Sequence, residues 1–270
     1  MDNEFIMSPK VDFAFKEIMS NEKVRIGFLS AVLNIKDTDI KSTIMLNTNL
    51  KKVHEDEKQG ILDVRLVMNN NTEIDIEIQL SYMRTWADRS IFYLAKMLTE
   101  QANINKKYSN FKKCIGINIL DFNYVKQTER FHTSYHFRED IDNSLYTDVM
   151  ECHLIELPKL PNNSDGTSLY DWIKFIKADS KEEFVMLAKK NTYLDEAYKQ
   201  LEIISQDEQK RIEYTTRQKA LYDYNTLMEE RFEDGFEKGM EQGITKKETE
   251  LIEKMRRKGY TEEQIQDLLG

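Results

Sequence analysis

Residues 60–80 constrain the fold more than any other stretch of the chain. The runs Gly60-Ile61-Leu62-Asp63-Val64-Arg65-Leu66-Val67-Met68 and Glu73-Ile74-Asp75-Ile76-Glu77-Ile78-Gln79-Leu80 alternate in polarity on either side of Asn69-Asn70-Asn71-Thr72. A period of two, interrupted by a turn-forming Asn run, predicts a β-hairpin. In the second run Ile74, Ile76, Ile78 and Leu80 share one face, so Glu73, Asp75, Glu77 and Gln79 share the other. If Asp63 projects toward that second face, carboxylates from two adjacent strands converge. A strand with one face in water alternates in the same way, so the pattern by itself fits either a site or a surface.

The flanking segments place the hairpin in an α/β layer. Upstream, Ser8-Pro9 followed by 10–19 predicts a helix with Ser8 as N-cap and Pro9 at the first helical position. Val11, Phe15, Ile18 and Met19 form its buried stripe. Asp12 and Lys16, four apart, either pair on the helix surface or Asp12 turns toward the site. A second helix is expected over 21–33 and a strand over 40–50. Downstream, Ile91, Leu94, Ala95, Leu98 and Ala102 recur at helical spacing, with Trp86 and Tyr93 adding aromatic bulk. That helix supplies the crossover to a buried strand at 114–120, and further strands are expected at 130–137 and 148–157. The result is a central mixed sheet flanked by helices. The Pro- and Asn-containing segment 157–166 marks the end of this core, giving expected divisions of 1–160 (core), 161–204 (helical subdomain) and 205–270 (long helical tail).

Charge narrows the partners. A net charge of −9 disfavours uniform coating of nucleic acid. Yet from Arg84 to Lys113 seven basic residues, including Arg84, Arg89 and Lys96, face two acidic ones, Asp88 and Glu100. A basic strip directly after a carboxylate hairpin can hold a phosphate backbone beside the acids; its alternative is a solvated helix face. No run approaches the roughly 18 apolar residues of a membrane span, and the acidic opening differs from a secretory signal, so the cytoplasm is the expected compartment. Cys114 and Cys152 lack the spacing of a zinc site and are expected to be buried thiols. His132 and His136 share a face on a helix or a strand, a weak indication of a metal site.

In the tail, Gly235, Gly239 and Gly243 recur every fourth residue. Each costs a helix interior about 1 kcal/mol relative to alanine. Close approach of a second helix would offset that cost, so self-association, as a homodimer through this region, is expected; a weak, flexible tail is the competing reading. Thr261 to Gln264 forms a capping box for a last helix.

Two carboxylates on neighbouring strands can bind Mg²⁺, which takes oxygen ligands and retains several waters, and such a metal promotes phosphodiester hydrolysis. Asp63, thirteen intervening residues and then Glu77-Ile78-Gln79 meet this need, with Gln79 on the face of Glu77 and able to orient a water. Together with Asp12-Phe13-Ala14-Phe15-Lys16, Gly60-Ile61-Leu62-Asp63-Val64 and Arg89-Ser90-Ile91-Phe92-Tyr93, these residues resemble the Rpn family of recombination-promoting nucleases and transposases, within the PD-(D/E)XK nuclease superfamily. The resemblance implies a restriction-endonuclease-like fold and a DNA endonuclease dependent on Mg²⁺, Mn²⁺ or Ca²⁺, linked to DNA rearrangement. It assigns Asp63 and Glu77 as metal ligands, the backbone carbonyl of Ile78 as a third, and Asp12 as an added carboxylate. Gln79 stands where the superfamily has lysine. Glutamine brings no positive charge to the transition state, which leaves Lys58 and Arg65 as substitutes. A non-catalytic DNA-binding or interaction module is the alternative.

Overall fold

The computed structural model describes residues 5–50, 60–102 and 107–269. Helices α1 (Asp12–Met19) and α2 (Glu22–Leu33) lead into β1 (Thr43–Met45) and the hairpin β2 (Val64–Met68) and β3 (Thr72–Gln79). Then come α3 (Trp86–Glu100), β4 (Lys113–Leu120), β5 (His132–Arg138) and β6 (Leu145–Glu156). Helices α4 (Ser168–Lys177), α5 (Lys181–Ala188), α6 (Thr192–Gln206), α7 (Glu208–Arg257) and α8 (Glu262–Leu269) complete the chain. The strand order is β1-β2-β3-β4-β6-β5, with β3-β4 and β4-β6 parallel and the remaining pairs antiparallel. This is the mixed-sheet, restriction-endonuclease-like α/β fold expected from the sequence.

The hairpin turns where predicted. Asn69 and Asn70 take positive φ values of 51° and 59°, the left-handed conformation that asparagine tolerates better than most residues. Asn69 also caps its surroundings, accepting from the Lys41 N–H and donating to the Asp39 carbonyl.

The two faces of the sheet carry separate cores. Ile74, Ile76 and Ile78 join Val64, Leu66, Ile115, Ile117 and Ile119 in the larger cluster with α1, α2 and α4–α6. On the opposite face α3 packs through Trp86, Tyr93, Leu94 and Met97. Glu73, Asp75 and Glu77 therefore lie beneath a helix, each 4% exposed, and the solvent-face alternative for the hairpin is excluded.

Some of the remaining elements differ from expectation and others match it. Helix α1 begins at Asp12, capped by Val11 without a side-chain bond. Ser8 instead opens a turn, its carbonyl accepting from the Val11 N–H and its own N–H donating to the Tyr214 hydroxyl. The strand over 40–50 shortens to β1, with a lone bridge between Asn49 and Ile61. On α3, Ile91 is exposed, because Trp86, Tyr93, Leu94 and Met97 take the buried face. Cys114 and Cys152 are buried free thiols. His132 and His136 lie on β5, where His132 Nε2 meets His153 Nδ1 at 2.8 Å and His153 Nε2 meets Glu151 at 2.7 Å. Helices α4–α6 share the larger core with the sheet, so the segment near residue 160 marks a change from sheet to helix. Packing divides the chain into Met1–Arg217 and Gln218–Gly270. In the second unit the capping box forms, Thr261 N–H donating to Gln264 Oε1 and Gln264 N–H to Thr261 Oγ1.

Candidate active site

The site grows out of the hairpin's pairing register. Val64 lies opposite Ile76, so one step further Asp63 meets Glu77. The two lock reciprocally: the Asp63 N–H donates to Glu77 Oε1 at 2.7 Å, and the Ile78 N–H donates to Asp63 Oδ2 at 3.1 Å. Ile78 thus borders both carboxylates through its backbone while its side chain sits in the larger core. Gln79 is on the same face, but its amide nitrogen donates to the Ser81 carbonyl at 3.0 Å.

Helix α1 approaches from the other side. Lys16 places Nζ 3.2 Å from Asp63 Oδ1, so the expected Asp12–Lys16 pair is replaced by a contact across the fold. Asp12 stands 3.8 Å from Arg217 and adds its negative charge to the field at Asp63. From α3, Arg89 donates to the Tyr93 hydroxyl at 2.7 Å with its guanidinium over the Trp86 and Tyr93 rings. Its charge acts on Glu77 and Asp75 from beneath the helix.

Burial sets the electrostatics. The Glu77 carboxyl is pushed up to about 8, first by burial and then by the charge of Asp63. Asp63 is also raised by burial, partly offset by Lys16. Asp75, fully enclosed, lies well above the usual carboxylate range because of burial and the charges of Glu77 and Asp63. Its Oδ1 has no hydrogen-bond partner among the described residues. Three carboxyls whose ionisation is disfavoured by burial and by one another thus gather at one end of the hairpin. The other end is neutralised, with Arg65 bonded to Glu73 at 2.6 Å and to Glu100 at 2.8 Å.

These groups fit a hard divalent cation. The donors are carboxylate oxygens, and Mg²⁺ uses one or two carboxylates while keeping waters and phosphate oxygens as its other ligands. Among the described residues no three His, Cys, Asp or Glu side chains form a ready-made cage, so the fit is to the open, two-carboxylate kind of site.

Of the residues expected near DNA, Arg84 is exposed and lines a cavity of about 500 Å³ with Tyr82, Ser90, Tyr124, Gln127 and Tyr135. Lys96 is half-buried, and Arg89 is turned inward. Arg65, considered as a lysine substitute, is occupied by Glu73 and Glu100; Lys58 lies outside the described residues. Lys16 and Asp75 were not anticipated as site residues. The signal for Lys16 was its place four residues after Asp12, and for Asp75 its place two residues before Glu77.

A mixed sheet whose hairpin sets two carboxylates side by side, with a lysine at the rim, defines a protein of the PD-(D/E)XK nuclease fold. The model of the PD-(D/E)XK nuclease family transposases matches residues 9–231, and the chain belongs to that family. The match includes every residue of the site just described. No curated protein and no solved structure gives a significant match to the chain.

Proposed function

We propose that the protein is a divalent-metal-dependent DNA endonuclease that serves DNA recombination or mobile-element activity. The observation that carries this reading is the reciprocal lock between Asp63 and Glu77, carboxyls of two neighbouring strands held side by side at one end of the hairpin. When bound, a cation such as Mg²⁺ or Mn²⁺ supplies Lewis acidity and a water of lowered pKa. Asp63 and Glu77 hold it, and the backbone of Ile78 lies beside them. Water adds to phosphorus and one P–O ester bond breaks, leaving a phosphomonoester and a hydroxyl. Gln79 orients the water once its amide leaves the Ser81 carbonyl, and Asp12 adds a carboxylate at the rim. Arg84 and Lys96 contribute positive charge for the DNA backbone, and Arg89 acts from below on the acids. No described helix is long and apolar enough to cross a membrane; we place the activity in the cytoplasm. Pairing of two chains through the Gly235, Gly239 and Gly243 face would set two sites to work for double-strand cuts.

A second reading, a DNA-binding or interaction module without catalysis, is favoured by the engagement of Gln79 with Ser81. Purified protein incubated with supercoiled plasmid and Mg²⁺, Mn²⁺ or Ca²⁺ separates the two. Nicking that needs metal and vanishes in Asp63→Ala is expected. Binding with no cutting in any metal supports the second reading, and nicking that persists in Asp63→Ala refutes the site.

A further inference from the structure

We infer that Lys16 provides, from helix α1, the positive charge that the strand position of Gln79 lacks, and that its ammonium contacts the phosphate being cleaved. The inference rests on the nuclease reading and adds a catalytic residue to it.

Four observations converge on Lys16. It makes the ion pair with Asp63, at 3.2 Å. Its side chain is 36% exposed, so the ammonium sits at the rim, where a phosphate can reach it. Among the described residues, three other cations near the hairpin are otherwise held: Arg65 by Glu73 and Glu100, Arg89 by Tyr93 beneath α3, and Lys10 by Asp121 at 3.3 Å. Finally, α1 is anchored firmly. Phe15, Ile18 and Met19 are buried, and Phe15 packs edge-on against Phe28 at 6.2 Å. The backbone carrying Lys16 is thus fixed relative to the hairpin, while the four-carbon stem lets the ammonium turn from Asp63 to a phosphate oxygen.

Charge explains why such a residue is needed here. A phosphodiester entering the site approaches Asp12, Asp63, Asp75 and Glu77, and negative charge grows on the phosphate oxygens in the transition state. A donor aimed at that developing charge is what accelerates phosphoryl transfer. The Gln79 amide is neutral and bonded to Ser81, whereas Lys16 carries a full charge and stands on the acidic cluster.

The test compares the full-length parent with Lys16→Gln, Lys16→Arg, the double variant Lys16→Gln/Gln79→Lys, and Asp63→Ala. Three readouts are taken: Mn²⁺ affinity by electron paramagnetic resonance, thermal unfolding, and plasmid nicking. Lys16→Gln is expected to lose about 100-fold in nicking, the effect of removing one transition-state donor. Its Mn²⁺ affinity should stay equal or tighten, because an ammonium competing for Asp63 is gone. Lys16→Arg should keep part of the activity, and the double variant should recover nicking by moving the charge to the strand. Nicking by Lys16→Gln within about threefold of the parent overturns the inference. So does a loss of Mn²⁺ affinity in step with nicking, which makes Lys16 a structural support of Asp63. A parent that binds Mn²⁺ no better than Asp63→Ala and never nicks overturns the nuclease reading itself.

Discussion

Replacing Glu77 by glutamine should stabilise the metal-free protein at alkaline pH and leave it nearly unchanged in acid. In the folded chain the Glu77 carboxyl titrates at about 8, held there by burial and by Asp63, against an ordinary 4.5. The folded state therefore binds the proton more tightly than the unfolded one. A raised folded value stabilises fully below the unfolded pKa, and that contribution is lost as pH climbs through about 8. At about 1.4 kcal/mol for each tenfold change in proton affinity, the full span amounts to roughly 5 kcal/mol. Because Asp63 and Asp75 share the same titration, the part belonging to Glu77 is roughly half to all of it. Glutamine keeps an oxygen for the Asp63 N–H, so the lock survives while the charge is removed. Urea unfolding in chelator should show a gap between variant and parent of below about 1 kcal/mol at pH 5, opening to roughly 2–5 kcal/mol at pH 9. Adding Mg²⁺ at pH 8 should raise the stability of the parent, by linkage to binding, and leave the variant unmoved. A gap independent of pH would refute the reasoning, since Glu77 would then ionise as readily in the fold as in the unfolded chain.

Two further tests probe the scaffold and the tail. At Gly27 an added Cβ would stand 2.3 Å from the Cβ and 2.4 Å from the Cγ of Tyr193, atoms too near the α6 backbone to move alone. Gly27→Ala should therefore cost about 3 kcal/mol by overpacking and lower Tm by about 6–12 °C; calorimetry showing less than about 1 °C would mean the α2–α6 contact is not tight. At Gly235, Gly239 and Gly243 an added Cβ meets nothing within 4 Å in the chain, and leucine favours the helix by nearly 1 kcal/mol per site. Leucine at all three should leave the fold intact and abolish self-association by light scattering; an unchanged mass would remove the proposed dimer.

The hairpin's period of two was legible because strand geometry imposes it, and it put Asp63 and Glu77 on facing strands. It could not distinguish water from a covering helix, since a polar face alternates in the same way in either setting. The cover came from Trp86, Tyr93 and Met97, whose long-range packing onto the acids has no signature in the hairpin. Ile91 misled for the same reason: aliphatic spacing indicated one face of α3, and the packing of Trp86, Tyr93, Leu94 and Met97 selected another. Lys16 was hidden by its neighbour, because an acid and a base four apart on a helix suggest a local pair. Only the meeting of α1 with the sheet's end turns the amine toward Asp63.

What burial adds is a constraint on charge. An acidic strand face covered by a helix must find its counter-charge within the fold, and at the far end it does, in the Arg65, Glu73 and Glu100 network. At the near end the compensation is incomplete. Asp75 keeps an unbonded oxygen among the described residues, Glu77 titrates near 8, and Lys16 forms its ion pair with Asp63. Were this end purely structural, hydrophobic residues of similar volume would stabilise it better than acids without partners. The same strand thus contains its own comparison: one covering helix, with charge balanced at the Arg65 end and left without a full set of partners at the end that holds Asp75 and Glu77. Under the proposed nuclease reading, a divalent cation held by Asp63 and Glu77 would supply the missing counter-charge.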